Sequence, residues 1–372
     1  MRYRTRRLFF YTFVFIFAIV GPLLVAYSIG YTFNPSTAAF ESTGGIFIKS
    51  PTPRLAVFLN GAFAKETGFI TGSVLFTDLA PGRHLVRLEK ERYGPWSKSA
   101  LVEPTAVTEL RNVMLIPYQP AIATSTPAEL AALQATTSPA QSLTLERNGN
   151  LIAGRGKEAP VIAENVHSFT TVGDAIFFVS RSGFLGRYDL AGREIATIGR
   201  PGFFLTDTPL KFVSGRGLPG QAPAGQGLIG VIDSAGGFFL YEESSGALQP
   251  ISSGVKEALL DAQAEKLLLH KDESIEIVWL KDNRHQPFQK KGTVEIIVKG
   301  AGAVREARWF YSTGAHVVYR TVLGIFFTEI DGRGGRNTAQ LRTAAADELF
   351  TFPSLPNTIF YKEGSAAYRI EL

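Results

Sequence analysis

The chain has 372 residues, 45% of them apolar, and a formal net charge of +5 from 38 basic and 33 acidic side chains. It contains no cysteine, which excludes a disulfide framework, a thiolate metal site and lipid attachment through a thiol. The basic surplus suggests nucleic acid only until it is located. Arg2, Arg4, Arg6 and Arg7 precede any acidic residue, and without them 34 basic residues face 33 acidic ones, about +1. Phosphate binding needs clustered surplus charge, so no nucleic-acid partner is expected.

Leu8 to Phe33 carries no charge at all. At 1.5 Å per residue, a ~30 Å hydrocarbon core takes roughly 20 apolar residues. The sequence therefore predicts an Arg-rich tip and a transmembrane helix within 1–33, the span itself covering about 8–30. Basic residues flank the amino-terminal side only, the next being Lys49. This predicts a single-pass signal-anchor in the cytoplasmic (inner) membrane, amino terminus inside and everything after Asn34 outside. A cleaved signal peptide is the competing reading, with Ala26 and Ser28 as a small-x-small site. Its apolar core would be only about 7–15 residues, which favours the uncleaved anchor.

Residues 34–43 (NPSTAAFEST) read as a polar spacer. From 44 to 116 short apolar runs alternate with turn residues: GGIFIKS, RLAVFLN, FITGSVLF, RHLVRLEK and VTELRNVML. Asn60-Gly61 closes the second run and supplies the positive φ of a tight turn, and Pro81-Gly82 precedes the fourth. His84, Val86 and Leu88 alternate against Leu85, Arg87 and Glu89, the period of a half-buried strand. These features predict a small antiparallel β-sandwich. Ser50-Pro51, LAVFLNG at 55–61, LAPGRHLVRLEK at 79–90, and Tyr93-Gly94 before Trp96 together resemble the PEGA domain, an extracytoplasmic β-sandwich. The chain departs from that pattern with PTPRLA at 51–56 and AKETGFITG at 64–72.

Residues 117–141 are rich in Pro, Ala, Thr and Ser and read as a semi-rigid linker. A short helix is expected inside it, with Thr126 as N-cap, Pro127 at the first helical position and Glu129 completing a capping box. From 142 to 372 a strand–turn–strand unit recurs at 175–199, 227–252, 265–282, 316–342 and 357–372. Ile176, Ile229, Leu267, Val317 and Ile359 occupy equivalent places, with a mean spacing of about 46 residues. That period predicts a β-propeller of five blades, or six if 142–165 forms its own. The last unit runs out of chain, so strands such as SLTLERN and NLIAG (142–153) are expected to complete it and remove the free edges. The IDG turn at 330–332 and the sandwiched aromatics resemble blades of the TolB or WD40-like class, which implies binding more than chemistry.

No motif carries a reaction. GRGLPG at 215–220 fits G-x-G-x-x-G, but QAPAGQG follows and cannot start the helix that the motif needs, so it reads as a long contact loop. GRGK at 154–157 lacks the earlier glycine and the Ser or Thr of a phosphate loop. DGRGGRN at 331–337 offers Arg333 and Gly335 where calcium ligands would stand, and reads as a tight turn. The five histidines, at 84, 167, 270, 285 and 316, have no metal-ligand spacing. Glu242-Glu243 reads as solvated charge, and Trp96, Trp279 and Trp309 as packing residues. No catalytic, cofactor-binding or metal residue is assigned and no cofactor is expected. The sequence reading is a mainly β, membrane-anchored, non-enzymatic scaffold that binds another envelope protein or a cell-wall polymer. The alternative is a propeller that binds or processes a small sugar or peptide at its channel mouth.

Overall fold

The computed structural model describes every residue except 1–2, 29, 35–38, 136–142, 155–158, 173–174, 190–193, 200–201, 205, 208–209, 215–226 and 301. The chain is mainly β and divides into two compact units. The first is Met1–Tyr118 with two later segments, His285–Pro287 and Asp331–Asn337; the second is Gln119–Arg284, Phe288–Ile330 and Thr338–Leu372.

The first unit begins with α1 (Tyr3–Ser28). From Thr5 onward this helix is long and apolar enough to cross a membrane, and none of it is buried against protein. Pro22 lies inside it. Next comes a two-stranded ribbon, β1 (Tyr31–Asn34) and β2 (Ala39–Ser42), where a spacer over 34–43 was expected. The correction has a physical reason: Phe33 and Phe40 stand directly opposite each other, rings edge to face at 5.4 Å. Phe33 belongs to the apolar run and Phe40 to the polar one, so the pairing straddles the composition boundary.

Seven further strands follow: β3 (Gly44–Lys49), β4 (Ala56–Leu59), β5 (Ala62–Glu66), β6 (Ser73–Leu79), β7 (Gly82–Glu89), β8 (Trp96–Val102) and β9 (Val107–Leu110). They form two sheets, in the orders β6-β3-β9 and β5-β4-β7-β8. Ile46, Ile48 and Leu110 from one sheet and Val57, Val86, Leu88 and Trp96 from the other fill a single core. Asn60 (φ 51°) and Gly61 (φ 87°) make the tight turn from β4 to β5. The arrangement is not wholly antiparallel: β3 and β9 pair in parallel. Parallel neighbours need a long crossover, and here the intervening strands supply it.

The second unit opens where a linker was expected. Ile122–Ser125 is a strand, β10, and Pro127–Ala135 is a helix, α2. Thr126 caps α2, accepting from Glu129 N–H at 3.1 Å, with Pro127 at the first position. The segment is not a free spacer, because Leu130 is 1% exposed and packs with Phe352, Phe360 and Ala367.

Successive antiparallel sheets make up the rest. The first is β11–β13 (Leu143–Leu145, Leu151–Ala153, Val161–Ala163) and the second β14–β17 (Val166–Val172, Ala175–Ser180, Leu185–Asp189, Glu194–Ile198). The third is β18–β21 (Lys211–Ser214, Leu228–Ile232, Phe238–Glu242, Ala247–Ser252) and the fourth β22–β25 (Val255–Leu260, Lys266–Lys271, Ser274–Trp279, Val294–Lys299). The fifth is β26–β29 (Glu306–Phe310, His316–Thr321, Gly324–Glu329, Thr338–Arg342). The sixth is β30–β32 (Glu348–Phe352, Leu355–Glu363, Ala366–Glu371), completed by β10 against β32. Both ends of the unit therefore meet in one sheet. Residues 142–153 do not perform this closure; their strands belong to the first sheet.

Most of the cores lie between neighbouring sheets, and one lies between α2 and the sixth sheet. On β15, Ile176 and Phe178 face the first sheet's cluster, whereas Ala175, Phe177 and Val179 face the third's. On β23, Leu267 and Leu269 face the third sheet and Leu268 the fifth. Alternate side chains of one strand thus serve two interfaces, the burial that radial stacking of small sheets produces. The architecture is a propeller-like array.

Candidate functional site

The first strands of successive sheets run side by side, β14 by β18, β18 by β22 and β26 by β30. This brings their charged residues together. Arg308 on β26 donates through Nη1 to Glu257 Oε2 on β22 (2.6 Å) and through Nε to Leu349 O on β30 (3.2 Å), and its Nη2 binds Glu306. Glu306 also accepts from Arg320 Nε and Leu349 N–H, both at 2.8 Å, while Arg320 Nη1 donates to Ala346 O at 2.9 Å. Two guanidinium groups and two carboxylates thereby tie the fourth, fifth and sixth sheets. Trp309 adds a donation to Leu259 O at 2.9 Å, and Lys211 Nζ reaches Lys256 O at 3.0 Å. Both oxygens of Glu306 are engaged, which makes it a brace between the fifth and sixth sheets.

A second polar cluster lies in the first unit, where Asp331–Asn337 and His285–Pro287 run along β8 and β9. Lys98, 2% exposed, donates Nζ–H to Asp331 O (2.8 Å) and stands 3.7 Å from its carboxylate. Arg333 donates to that carboxylate (2.8 Å), to Gln286 Oε1 (2.7 Å) and to Glu109 O (2.8 Å). Gln286 Oε1 also accepts from Glu109 N–H (2.9 Å), and its Nε2 donates to Val107 O (2.9 Å). Gly334 has φ +64°, and a Cβ there would stand 1.9 Å from Ser99 O, so only glycine fits. Burial works against ionisation of Asp331, yet hydrogen bonds from Arg333 and the nearby Lys98 charge hold its carboxyl below the ordinary value. Glu109 is also held low, chiefly by its bond to Arg111.

The singled-out motifs fall as follows. GRGLPG at 215–220 and the Arg155–Lys157 part of GRGK lie outside the described residues. DGRGGRN is a turn whose Asp331 is bound by Arg333 and Lys98. His84 links two turns, its Nε2 to Ala80 O at 2.8 Å and Nδ1 to Asn60 Nδ2 at 3.1 Å. His270 bonds Val304 O at 3.0 Å, and His316 pairs with Thr313 Oγ1 at 2.7 Å and stacks on Phe327. Among the described residues no group of three His, Asp or Glu side chains forms a metal-binding set. Glu242 is held low in pKa chiefly by a hydrogen bond from Lys291, and Glu243 pairs with Arg187, so the adjacent carboxylates serve separate cations. Trp96, Trp279 and Trp309 are all buried. Sequence reasoning missed Arg308 and Glu306 because several of their partners, Glu257 and Leu349 among them, lie in other sheets.

No protein-family model matches this sequence, and no curated protein matches it. Solved structures similar to it include the Cps50 (Swd1) β-propeller domain of Myceliophteria thermophila, at 11% identity and a TM-score of 0.36 over 54% of this chain and 62% of that one. Another is a chain of a mitotic checkpoint complex, at 14% identity and a TM-score of 0.36 over 59% of this chain and 67% of that one. The chain thus spans less than two thirds of the first. So slight an overlap adds nothing to the strand order, on which the propeller-like assignment rests.

Proposed function

We propose that this protein is a single-pass, membrane-anchored, non-enzymatic scaffold. In this reading α1 is the anchor, with its arginines inside, and the two β units stand outside the cytoplasmic membrane. The six sheets act as six blades, and they present loops to another envelope protein or a wall polymer. The sandwich is PEGA-like, with Ser50-Pro51 at the end of β3 and Pro81-Gly82 leading into β7. The observation that carries the reading is the pairing of β10 with β32, which makes a stacked array whose interior charges satisfy one another. An array whose Glu306, Arg308 and Arg320 are committed to one another and to neighbouring sheets is suited to display, not turnover.

Because the chain has no cysteine, one experiment tests both location and role. Ser365, exposed in the turn between β31 and β32, is replaced by Cys and coupled in intact spheroplasts to a membrane-impermeant maleimide photocrosslinker. Coupling without opening the membrane, followed by one saturable crosslinked protein or polymer, is expected. Coupling only after the membrane is opened overturns the orientation. Turnover of a glycan or peptide with no saturable partner overturns the scaffold role.

A further inference from the structure

Gly30 ties the end of α1 to the residue after β2. Gly30 N–H donates to Tyr27 O (3.0 Å), and Gly30 O accepts both the N–H (2.6 Å) and the hydroxyl (2.9 Å) of Thr43, the residue after β2. Gly30 has φ 91°, which an L side chain rarely adopts. Both ends of the β1–β2 ribbon are thereby held at the end of the helix.

The ribbon is amphipathic. Its register sets Tyr31 opposite Ser42, Thr32 opposite Glu41 and Phe33 opposite Phe40. Side chains alternate along a strand, so Tyr31, Phe33 and Phe40 share one face, and Thr32 and Glu41 the other. Phe33, Phe40 and Tyr27 at the helix end are 55%, 54% and 61% exposed. None of these aromatics joins the sandwich core. A lone two-stranded ribbon is marginal in water, and exposed rings make water a poor solvent for this one.

We infer that the β1–β2 ribbon is an interfacial collar, its aromatic face seated in the lipid headgroup region and its Thr32–Glu41 face turned to water. The inference rests on the reading of α1 as an anchor. The interfacial layer is roughly 5–7 Å thick on each side of the hydrocarbon. Three residues of chain beyond Ser28 reach at most about 10 Å, so β1 starts in or beside that layer. Aromatic rings accumulate at this depth because it accepts an apolar body and a wet edge together. The surface is continuous with α1, which selects lipid as its occupant.

The test uses the full chain in phosphatidylcholine–phosphatidylglycerol vesicles whose acyl chains carry bromine either near the headgroup or near the terminal methyl. The native tryptophans, Trp96, Trp279 and Trp309, are 3%, 5% and 1% exposed, so an added tryptophan dominates the quenching. Phe40→Trp should be quenched more by shallow bromine than by deep bromine, as a ring at the interface would be. Glu41→Trp, on the opposite face, should be quenched far less, and Ile16→Trp should respond most to deep bromine. An unquenched Phe40→Trp beside a deeply quenched Ile16→Trp overturns the collar and leaves the anchor standing. If Ile16→Trp is also unquenched, the anchor reading falls with it. Equal quenching at positions 40 and 41 overturns the two-faced arrangement.

Discussion

The sandwich and the sheet array solve burial in opposite ways. The sandwich puts residues from six of its seven strands into one core between two sheets, β5 alone staying exposed. The array divides its apolar residues among separate clusters, each shared by neighbouring sheets or, at the sixth sheet, by α2. A single core fails as a whole when one large member is removed. A serial array fails first where a sheet has fewest neighbours, so its ends decide its stability. This fits the placement of β10 within the sixth sheet and of α2 packed against it, although both look like linker.

The sharpest way to break that contrast is Trp96→Ala. Trp96 is 3% exposed in the sandwich core cluster, and removing a buried Trp costs about 3–5 kcal/mol. The remaining Trp279 and Trp309 both lie in the cluster between the fourth and fifth sheets, so their emission follows the array alone. Denaturant titration should show the sandwich transition, followed by circular dichroism, moving to lower denaturant while the emission transition stays. A common shift of both would mean that the units unfold together and the contrast fails. Leu130→Ala is the complementary cut. It should cost about 2–4 kcal/mol at the closing end of the array, read as an earlier transition in the Trp279 and Trp309 emission of Trp96→Phe protein. An unshifted emission transition would show that α2 contributes nothing to closure.

The same contrast governs what the sequence could reveal. Ile176, Ile229, Leu267, Val317 and Ile359 all lie on the second strand of a sheet, each 0% exposed. Strands buried on both faces are continuous apolar runs, as in AIFFVS, and such runs stand out at a regular period. The first strands were not legible, because Glu257, Glu306 and Arg308 interrupt any apolar pattern and are half-buried by pairing with one another, Arg308 with Glu306 on its own strand and with Glu257 in the fourth sheet. The closing strand, IATS, is short and polar, and its partner β32 lies at the far end of the chain. Local pattern reports what a strand buries, not whom it pairs with. The parallel β3–β9 pair was missed for that reason, as were β5, wholly exposed, and β8, whose alternation holds a buried lysine. The candidate polar clusters were almost invisible: Lys98 meets Asp331 across 233 positions.

That buried lysine yields the smallest effect, and one that acid should reveal. Asp331 is bound by Arg333 and faced by Lys98, with Glu109 and His285 nearby, and its carboxyl lies below the ordinary 3.8 although burial alone would raise it. The folded state therefore releases this proton more readily than the unfolded chain. The resulting stabilisation is complete above 3.8 and disappears as pH falls through the folded-state value. Asp331→Asn keeps the shape but removes the charge that Lys98 and Arg333 answer. It should cost about 2 kcal/mol near neutral pH, observed as an earlier sandwich transition. Below pH 3.8 the variant and parent curves should converge. Arg333→Lys should show a partial version of the same loss, because a point charge replaces the planar fork that reaches Asp331, Gln286 and Glu109 together. Parallel pH profiles for Asp331→Asn and parent would mean that the carboxylate's ionisation contributes nothing, and that Gly334 and the backbone bonds alone hold this turn along β8.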